Sequence, residues 1–238
     1  MGAQHGACPG ALNVVLLGPP GAGKGTQAER LSRTRKLPKI STGDILREAV
    51  AARSELGLRA KSIMDRGELV SDDVMIGIVR ERLDRDDARN GFVLDGFPRT
   101  VAQAEALDGV MGGRAPLIVV DIDVPEVELV RRLASRLVCE QCGTNASPGS
   151  TACATCGGRL VQRTDDNEAV VRERFAVYRR KSQPLVEYYR LRPTFRSIDG
   201  AQPADRVAQD LAAAVEAVGG HGRPRVSAQA EGARGGRA

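Results

Sequence analysis

A glycine-rich segment near the start of the chain has the composition of a phosphate-binding loop. The sequence GPPGAGKGT at positions 18–26 follows an apolar run at Leu12–Leu17 and precedes a helical pattern over residues 25–33. Glycines let backbone N–H groups turn inward toward a phosphate, and the N-terminus of the next helix adds positive potential. Lys24 supplies a mobile positive charge for the β- and γ-phosphates. The residues predicted to bind a nucleoside triphosphate are Gly21, Ala22, Gly23, Lys24, Gly25 and Thr26.

The position that usually ligates magnesium in such loops is different here. Gly25 stands where Ser or Thr is common, and Thr26 comes one residue later. Asp95 follows the apolar run Phe92–Leu94, and open α/β sheets bind ligands at the carboxyl ends of their strands. We therefore predict that Asp95 holds Mg²⁺ through its water shell. The structural alternative is a turn residue that ends a strand.

Four of the five cysteines form two Cys-x-x-Cys pairs. The pairs are separated by ten residues, and each is followed by a glycine, Gly143 or Gly157. Glycine lets the backbone fold so that its N–H groups face the thiolates, and four thiolates suit a closed, tetrahedral Zn²⁺ site. A redox-active Cys-x-x-Cys is the rival interpretation, but it usually occurs as a single pair. The predicted zinc ligands are Cys139, Cys142, Cys153 and Cys156.

The elements that must position these residues alternate along the chain. Apolar runs of β type stand at Leu12–Leu17, Leu37–Ile40, Phe92–Leu94, Leu117–Ile122 and Phe195–Ile198. Helical patterns lie between or after them, at residues 25–33, 71–83, 126–137, 166–189 and 204–218. Such alternation predicts an α/β fold, with a parallel sheet covered by helices on both faces.

Two segments do not fit this alternation. Residues 41–70, the first insert, are mostly helical, whereas residues 135–166, the second insert, contain the paired cysteines and few aliphatic side chains. We interpret both as inserts on one core.

Composition excludes several classes of protein. The chain has 238 residues and a formal net charge of +5, but residues 219–238 hold four arginines and one glutamate. Much of the excess charge therefore lies in a Gly-rich tail that we predict to be disordered. No Trp, four Phe and three Tyr leave few rings for stacking on nucleic-acid bases.

Targeting signals are also missing from the sequence as read. No apolar run approaches the roughly 20 residues that span a bilayer, and the first residues do not have the pattern of a secretory signal. We therefore expect a cytoplasmic protein without membrane or nucleic-acid partners.

Several strings together resemble the adenylate kinases, in the nucleoside-monophosphate kinase family. They are GPPGAGKGTQ at 18–27, STGDILR at 41–47, GELV at 67–70 and LDGFPR at 94–99, followed by Gln103, Arg132, Arg136, Arg163-Thr164-Asp165-Asp166 and Arg174. They occur in the family's order, and the resemblance covers residues 12–217.

The resemblance implies a P-loop NTPase-type core with a five-stranded parallel sheet flanked by helices. The first insert would close over a monophosphate, and the second, a zinc-ribbon lid, would close over ATP. The implied reaction is reversible phosphoryl transfer from Mg-ATP to AMP, giving two ADP. We expect a monomer whose partners are ATP, AMP and ADP.

The resemblance also implies roles for individual residues. Catalysis would fall to Lys24, Arg99, Arg136, Arg163 and Arg174. ATP binding would involve Gly21, Ala22, Gly23, Lys24, Gly25, Thr26, Arg132, Arg136 and Gln202. AMP binding would involve Thr42, Arg47, Glu68, Leu69, Val70, Gly96, Phe97, Pro98, Arg99, Gln103, Arg163 and Arg174. The many arginines among these residues suit the reaction, because arginine stays charged and binds phosphate in a bidentate manner.

Some of these residues also have local structural interpretations. Thr42 could cap the helix that it begins, and Gln202 could belong to a surface turn. Arg132 could pair with Glu128 on a solvated helix face. Asp165 and Glu168 have the spacing of a capping box.

Three rival functions remain open at this stage. A UMP/CMP kinase would use the same machinery, and a zinc-ribbon nucleic-acid binder could carry a vestigial phosphate loop. A nucleoside kinase that phosphorylates a hydroxyl would need a general base, for which the sequence offers no candidate.

Overall fold

The computed structural model of the chain describes residues 11–146 and 149–219. Within these residues, five strands form one parallel sheet in the order β2-β3-β1-β4-β7, and two form a small antiparallel sheet. The strands are β1 (Leu12–Leu17), β2 (Lys39–Ser41), β3 (Gly91–Asp95), β4 (Leu117–Asp123), β5 (Leu137–Cys139), β6 (Leu160–Gln162) and β7 (Phe195–Asp199). The predicted five-stranded parallel sheet is therefore confirmed.

Helices cover both faces of the parallel sheet, as the alternation predicts. Val15 and Leu17 of β1 pack on one face with α4, α5 and α8, whereas Val14 and Leu16 pack on the other with α1 and α9. The helices are α1 (Lys24–Arg35), α2 (Thr42–Ala51), α3 (Glu55–Asp65), α4 (Asp72–Leu83), α5 (Val101–Val110), α6 (Glu126–Ala134), α7 (Glu168–Val177), α8 (Pro184–Tyr189) and α9 (Ala204–Gly219). Strands buried on both faces read as continuous apolar runs, which explains why β1 and β4 show no alternation.

The parallel register brings several polar strand ends to one edge of the sheet. Leu16 stands opposite Asp95, Leu17 opposite Asp121, and Ser41 also opposite Asp95. The loop after β1 leaves from this same edge. Ligands in open α/β sheets bind outside the carboxyl ends of the strands, so this edge is where a site is expected.

Two predicted helices have different bounds in the structure. The helix predicted over 126–137 ends at Ala134, because the Ser135 hydroxyl donates to the Arg131 carbonyl at 3.0 Å and β5 begins at Leu137. The helix predicted over 166–189 is α7, a π-helical turn at Tyr178–Ser182, and α8.

The π-helical turn has a local cause in the sequence. Gln183 N–H donates to the Tyr178 carbonyl at 2.9 Å, five residues back, and Pro184 follows without an N–H of its own. Proline cannot continue the i to i−4 ladder, so the chain rewinds before α8 begins at Pro184.

The two inserts are built differently. Helices α2 and α3 make up most of the first insert. In the second, the first cysteine, Cys139, ends β5, and the other three lie between β5 and β6. None of the helices in the described residues is both long and apolar enough to span a membrane. The tail predicted to be disordered lies outside the described residues except for Gly219, which ends α9, and Cys8 lies outside them too.

Candidate active site

The glycine-rich loop wraps between β1 and α1. Gly21 and Gly23 have φ angles of 88° and 93°, a left-handed conformation that strains any residue with a Cβ. Lys24 Nζ donates to the carbonyls of Gly18 at 2.7 Å and Pro19 at 2.8 Å. Its ammonium group therefore folds back over the loop, on the side to which a bound phosphate would come.

The charge on Lys24 is held in an unfavourable place. Burial, reinforced by nearby arginines, chiefly Arg99, and opposed by Asp95, lowers the pKa of Lys24 from 10.5 to about 8. A polyphosphate beside the ammonium group would favour its protonated form. The free protein therefore has a cation at this point that lacks a full counter-charge.

Asp95 faces Gly25, which occupies the loop position that usually carries Ser or Thr. Its Oδ2 atom would lie 3.2 Å from a Cβ placed on Gly25. A larger residue at 25 would crowd this carboxylate, so glycine keeps the space between loop and strand open. A hard oxygen donor beside a triphosphate-binding loop fits a water-shelled Mg²⁺.

One large cleft opens at the carboxyl edge of the sheet, with a volume of about 2400 Å³. Its lining includes Lys24 and all six predicted arginines, which are Arg47, Arg99, Arg132, Arg136, Arg163 and Arg174. Burial lowers the pKa of Arg163 to about 10, and Arg47 and Arg136 reinforce the shift. Cations crowded in this way favour a polyanionic ligand.

Asp166 holds two of these arginines at the end of the second insert. Its side chain is fully buried. It accepts hydrogen bonds from Arg136 Nε at 2.7 Å and from Arg174 Nη1 at 3.1 Å. Asp165 Oδ2 lies 3.0 Å from the same Nη1 atom of Arg174. The acidic pair therefore joins the two ends of the second insert to each other and to α7.

The prediction that Asp165 caps α7 is wrong. Asn167 is the N-cap, and its side chain accepts a hydrogen bond from the Val170 N–H at 3.1 Å. The Asp165 carboxylate turns toward the cleft instead, where the positive charge of Arg174 and its neighbours holds the pKa of Asp165 below its usual value despite its burial.

Thr42 and Arg99 meet at one backbone carbonyl. The Thr42 hydroxyl and Arg99 Nε each donate to the Gly96 carbonyl at 2.8 Å. Ser41, not Thr42, is the N-cap of α2, since its hydroxyl accepts from the Asp44 N–H at 3.3 Å. The capping interpretation of Thr42 is therefore wrong, and Thr42 lines the cleft.

The remaining predicted AMP-site residues divide by their surroundings. Leu69, Val70 and Pro98 line the cleft, whereas Phe97 is 2% exposed and packs in the core. The Glu68 carboxylate is paired with Arg66 Nε and Nη2 at 3.1 and 2.9 Å. The buried Phe97 side chain thus has a structural role, whereas Glu68 lines the cleft with its carboxylate held in an exposed ion pair. Arg47 is ion-paired with Asp44 at the mouth of the first insert.

Gln103 is buried, and both ends of its amide are bonded. Oε1 accepts from the Arg99 N–H at 2.8 Å, and Nε2 donates to Asp72 Oδ1 at 2.7 Å. Thr100, the N-cap of α5, donates to Asp72 Oδ2 at 3.0 Å. Sequence reasoning missed Asp72, because an acidic residue in the first turn of a helix is expected for its dipole alone.

Two other side chains predicted to bind ATP, those of Arg132 and Gln202, have structural partners as well. Arg132 Nε donates to Glu128 Oε1 at 2.8 Å, which is the pairing expected for a solvated helix face. Its Nη2 reaches the Ala201 carbonyl at 3.4 Å. Gln202 donates to the Asp199 carbonyl at 3.0 Å, as a turn residue would, and it also lines the cleft.

Comparison with known proteins decides the family. The sequence model described as adenylate kinase matches residues 16–193. An adenylate kinase of Archaeoglobus fulgidus is 48% identical over 215 residues, covering 87% of this chain and 99% of the relative. One of Clostridium acetobutylicum is 47% identical over 208 residues, covering 84% and 97%.

The chain belongs to the adenylate kinase family. The P-loop fold and the resemblance read from the motifs are thereby confirmed.

In this adenylate kinase family member, the four paired cysteines converge in the second insert. Their Sγ atoms all lie within 4.8 Å of one another, with Cys139–Cys156 at 3.4 Å and Cys142–Cys153 at 3.5 Å. Tetrahedral zinc with Zn–S bonds of about 2.3 Å sets its sulfurs about 3.8 Å apart. The four thiols therefore fit a zinc ion closely.

The two cysteine pairs lie in two tight turns of the same kind. The N–H groups of Gly143 and Gly157 donate to the carbonyls of Cys139 and Cys153 at 3.0 and 2.9 Å, and both glycines have φ near 70°. Backbone N–H groups also approach the sulfurs, as from Gln141 to Cys139 Sγ at 3.4 Å. This is the arrangement that the glycines predict.

The structure adds contacts to this family's site that no motif signalled. The Ser182 hydroxyl, in the π-helical turn, donates to the Arg99 carbonyl at 2.9 Å. Asn145 Oδ1 in the second insert accepts from Arg163 Nη2 at 3.3 Å. The only sequence signal near Ser182 is Pro184, which perturbs the helix there.

Proposed function

We propose that the chain catalyses reversible transfer of the γ-phosphoryl group of Mg-ATP to AMP, giving two ADP. The observation that carries the proposal is the convergence of Lys24 and six arginines on one cleft at the carboxyl edge of the sheet. Membership of the adenylate kinase family supports the same reaction.

The proposed reaction needs no general acid–base catalysis by the protein. The acceptor is a phosphate oxygen of AMP that is already ionised at neutral pH, so no general base is required. A bond forms from that oxygen to the γ-phosphorus, and the bond from the γ-phosphorus to the bridging oxygen of ATP breaks. The protein must bring two polyanions together and stabilise negative charge on the moving group.

Fixed cations can do both. We assign Lys24 and Arg136 to the phosphates of ATP, and Arg47 and Arg99 to the phosphate of AMP. Arg174 and Arg163, which both line the cleft, would span the transferring group. Asp165 and Asp166 keep Arg174 and Arg136 oriented, since arginines without such partners would repel one another.

Two metals complete the proposal. Mg²⁺ would neutralise charge on the phosphates, with Asp95 holding its water shell opposite Gly25. Zn²⁺ on the four cysteines would make the second insert rigid without an apolar core, a structural role that needs no open coordination position.

We further propose that the inserts, residues 41–70 and 135–166, move against the rest of residues 12–217. Closure of both inserts would exclude water, which otherwise competes as the acceptor. We expect a cytoplasmic monomer that acts on ATP, AMP and ADP and has no nucleic-acid or membrane partner.

The first experiment is an acceptor panel. Purified protein with ATP and Mg²⁺ should form ADP fastest with AMP, compared with UMP, CMP and GMP, when products are separated chromatographically. A preference for UMP or CMP would assign the chain to the rival pyrimidine nucleotide reaction. Failure to form ADP with any acceptor would reject phosphotransfer.

Lys24→Met tests where the chemistry lies. Removing this cation should lower turnover at least ~100-fold, on the scale of a lost charge-stabilising donor. Lys36→Met is the matched control, because Lys36 is exposed just beyond the other end of α1. Equal activity of the two variants would contradict the assignment.

A further inference from the structure

We infer that Asp72 is a positioning residue that fixes the orientation of the Gln103 amide and so sets the selectivity of the site for adenine over 6-oxopurines. The inference rests on the proposed function, since it takes Gln103 as the side chain that reads the base of the acceptor. It adds a residue that lies outside every motif singled out in the sequence.

The two partners of the Gln103 amide leave it one orientation. The Asp72 carboxylate only accepts hydrogen bonds, so the Gln103 atom 2.7 Å from Oδ1 must be the NH₂ group. The Arg99 backbone N–H only donates, so the atom 2.8 Å from it must be the carbonyl oxygen. A flipped amide would set donor against donor at Arg99 and acceptor against acceptor at Asp72.

Asp72 is itself fixed. Its second oxygen accepts from the Thr100 hydroxyl at 3.0 Å, and that hydroxyl accepts from the Gln103 N–H at 3.2 Å as the N-cap of α5. These bonds tie the first turn of α4 to the first turn of α5. The neighbouring Asp73 is exposed, and no bond to Gln103 or Thr100 is seen for it among the described residues.

The fixed amide retains one unused N–H and one unused oxygen lone pair, and Gln103 lines the cleft. Adenine offers its N6 amino group as a donor beside a ring-nitrogen acceptor, which complements that pair. Hypoxanthine and guanine carry an oxygen at C6, so the Gln103 oxygen would meet another acceptor. An amide that is free to turn could adapt to either base.

The predicted consequence is specific to the base. Asp72→Ala frees the NH₂ end of Gln103, and we expect kcat/KM for AMP to fall about tenfold, on the scale of one hydrogen bond to a charged partner. For IMP, kcat/KM should stay the same or rise, so the AMP/IMP ratio falls at least tenfold. KM for ATP should change less than about twofold.

The experiment compares the parent protein with Asp72→Ala, Asp72→Asn, Asp73→Ala, Gln103→Ala and the double variant Asp72→Ala/Gln103→Ala. Initial rates with AMP and IMP give the two values of kcat/KM, and thermal melting checks the fold. Asn keeps an oxygen facing Gln103, so Asp72→Asn should retain the parent ratio within about threefold. Asp73→Ala should leave the ratio unchanged.

The sharpest readout is whether the effects of Asp72→Ala and Gln103→Ala on kcat/KM for AMP add up in the double variant. A merely structural role of Asp72 would give additive effects, whereas positioning of Gln103 would not. With Gln103 already removed, Asp72→Ala should have no further effect on AMP. If Asp72→Ala does not fold, Asp72→Ser replaces it, since serine keeps a polar group at this position but has one hydroxyl in place of the two carboxylate oxygens that bond Thr100 and Gln103.

The outcomes separate this inference from the proposed function. If the parent converts AMP to ADP but Asp72→Ala lowers AMP and IMP rates equally, or adds to Gln103→Ala, the inference is overturned and the reaction stands. If the parent forms no ADP from AMP, the proposed function is rejected, and this inference is rejected with it.

Discussion

The two inserts on the core are stabilised by different means. In the first insert, Leu46, Ala60 and Val70 are buried and belong to the same apolar cluster as the central strands. In the described part of the second insert, the buried apolar or thiol side chains are Val138, Cys139 and Cys153, and none of them belongs to a core cluster. One insert shares the core of the protein, and the other is held by its cysteines, a short sheet and ion pairs.

This difference shows two ways to make a small segment rigid. A segment of about 30 residues buries too little apolar surface to fold by itself, so it must either pack against the core of the rest of the protein or be crosslinked. Helices α2 and α3 pack against that core through their apolar faces. The second insert has four thiols that fit a metal, and it can therefore be rigid without an apolar core of its own, while Asp165 and Asp166 connect it to Arg174 of α7.

The largest expected effect is on the second insert. Cys139→Ser should abolish zinc binding, and protection of amides in residues 135–146 and 149–166 from hydrogen exchange should fall at least ~100-fold. The reason is that structural zinc sites contribute about 10 kcal/mol or more of apparent folding energy. Metal analysis and hydrogen exchange with mass spectrometry make the measurement.

The chain offers a matched control for this change. Cys8→Ser removes the fifth cysteine, which lies outside both pairs, and should leave about one zinc per chain and the exchange pattern unchanged. A native protein that contains no metal yet protects these amides fully would refute the zinc-based account of the second insert.

The first insert should respond to loss of apolar volume instead. Leu46→Ala should lower the free energy of unfolding by about 2–5 kcal/mol, because it removes a buried side chain from the shared core. A zinc chelator should not enlarge this loss. Denaturant unfolding of the metal-loaded protein measures it.

Leu58→Ala is the control within the same insert. Leu58 is 65% exposed, so its truncation should change the free energy of unfolding by less than about 0.5 kcal/mol. If both leucines gave equally small effects, the first insert would not depend on the shared core, and the contrast between the inserts would disappear.

The sequence allowed the local parts of this picture to be predicted. The five strands of the parallel sheet are predictable because buried strands are continuous apolar runs, whereas the short strands β5 and β6 are not. The phosphate loop and cysteine pairs are predictable because their spacing is short and fixed. The loop contacts of Lys24 span only five and six residues, and each cysteine turn closes within four.

Contacts between distant residues were not predictable in the same way. Asp72 meets Gln103 across 31 positions, and Asp166 meets Arg136 across 30. A single acidic residue has too many common uses, such as a helix-dipole partner or a cap, for its type to identify its partner. The errors at Thr42 and Asp165 have the same origin, since a neighbouring residue, Ser41 or Asn167, was the cap in each case.

The smallest expected effect is a difference in how the dissociation constants of ATP and AMP depend on pH. ATP is proposed to bind beside the phosphate loop, and AMP beside the first insert. Lys24 has its pKa lowered to about 8, mainly by burial, so the free protein loses this charge as pH rises through that value. ATP binds best to the charged form, so above that pH its binding requires Lys24 to take up a proton from solvent. Its dissociation constant should therefore be about tenfold higher at pH 9 than at pH 7, as measured by calorimetry.

AMP should behave differently, because the proposed ligands of its phosphate are Arg47 and Arg99 and do not include Lys24. Its dissociation constant should change less than about twofold between pH 7.5 and 9. Lys24→Met should bind ATP weakly and without this pH dependence. A parallel weakening of both nucleotides would mean that Lys24 serves the two sites alike, and that the sites do not differ electrostatically as the side chains around them indicate.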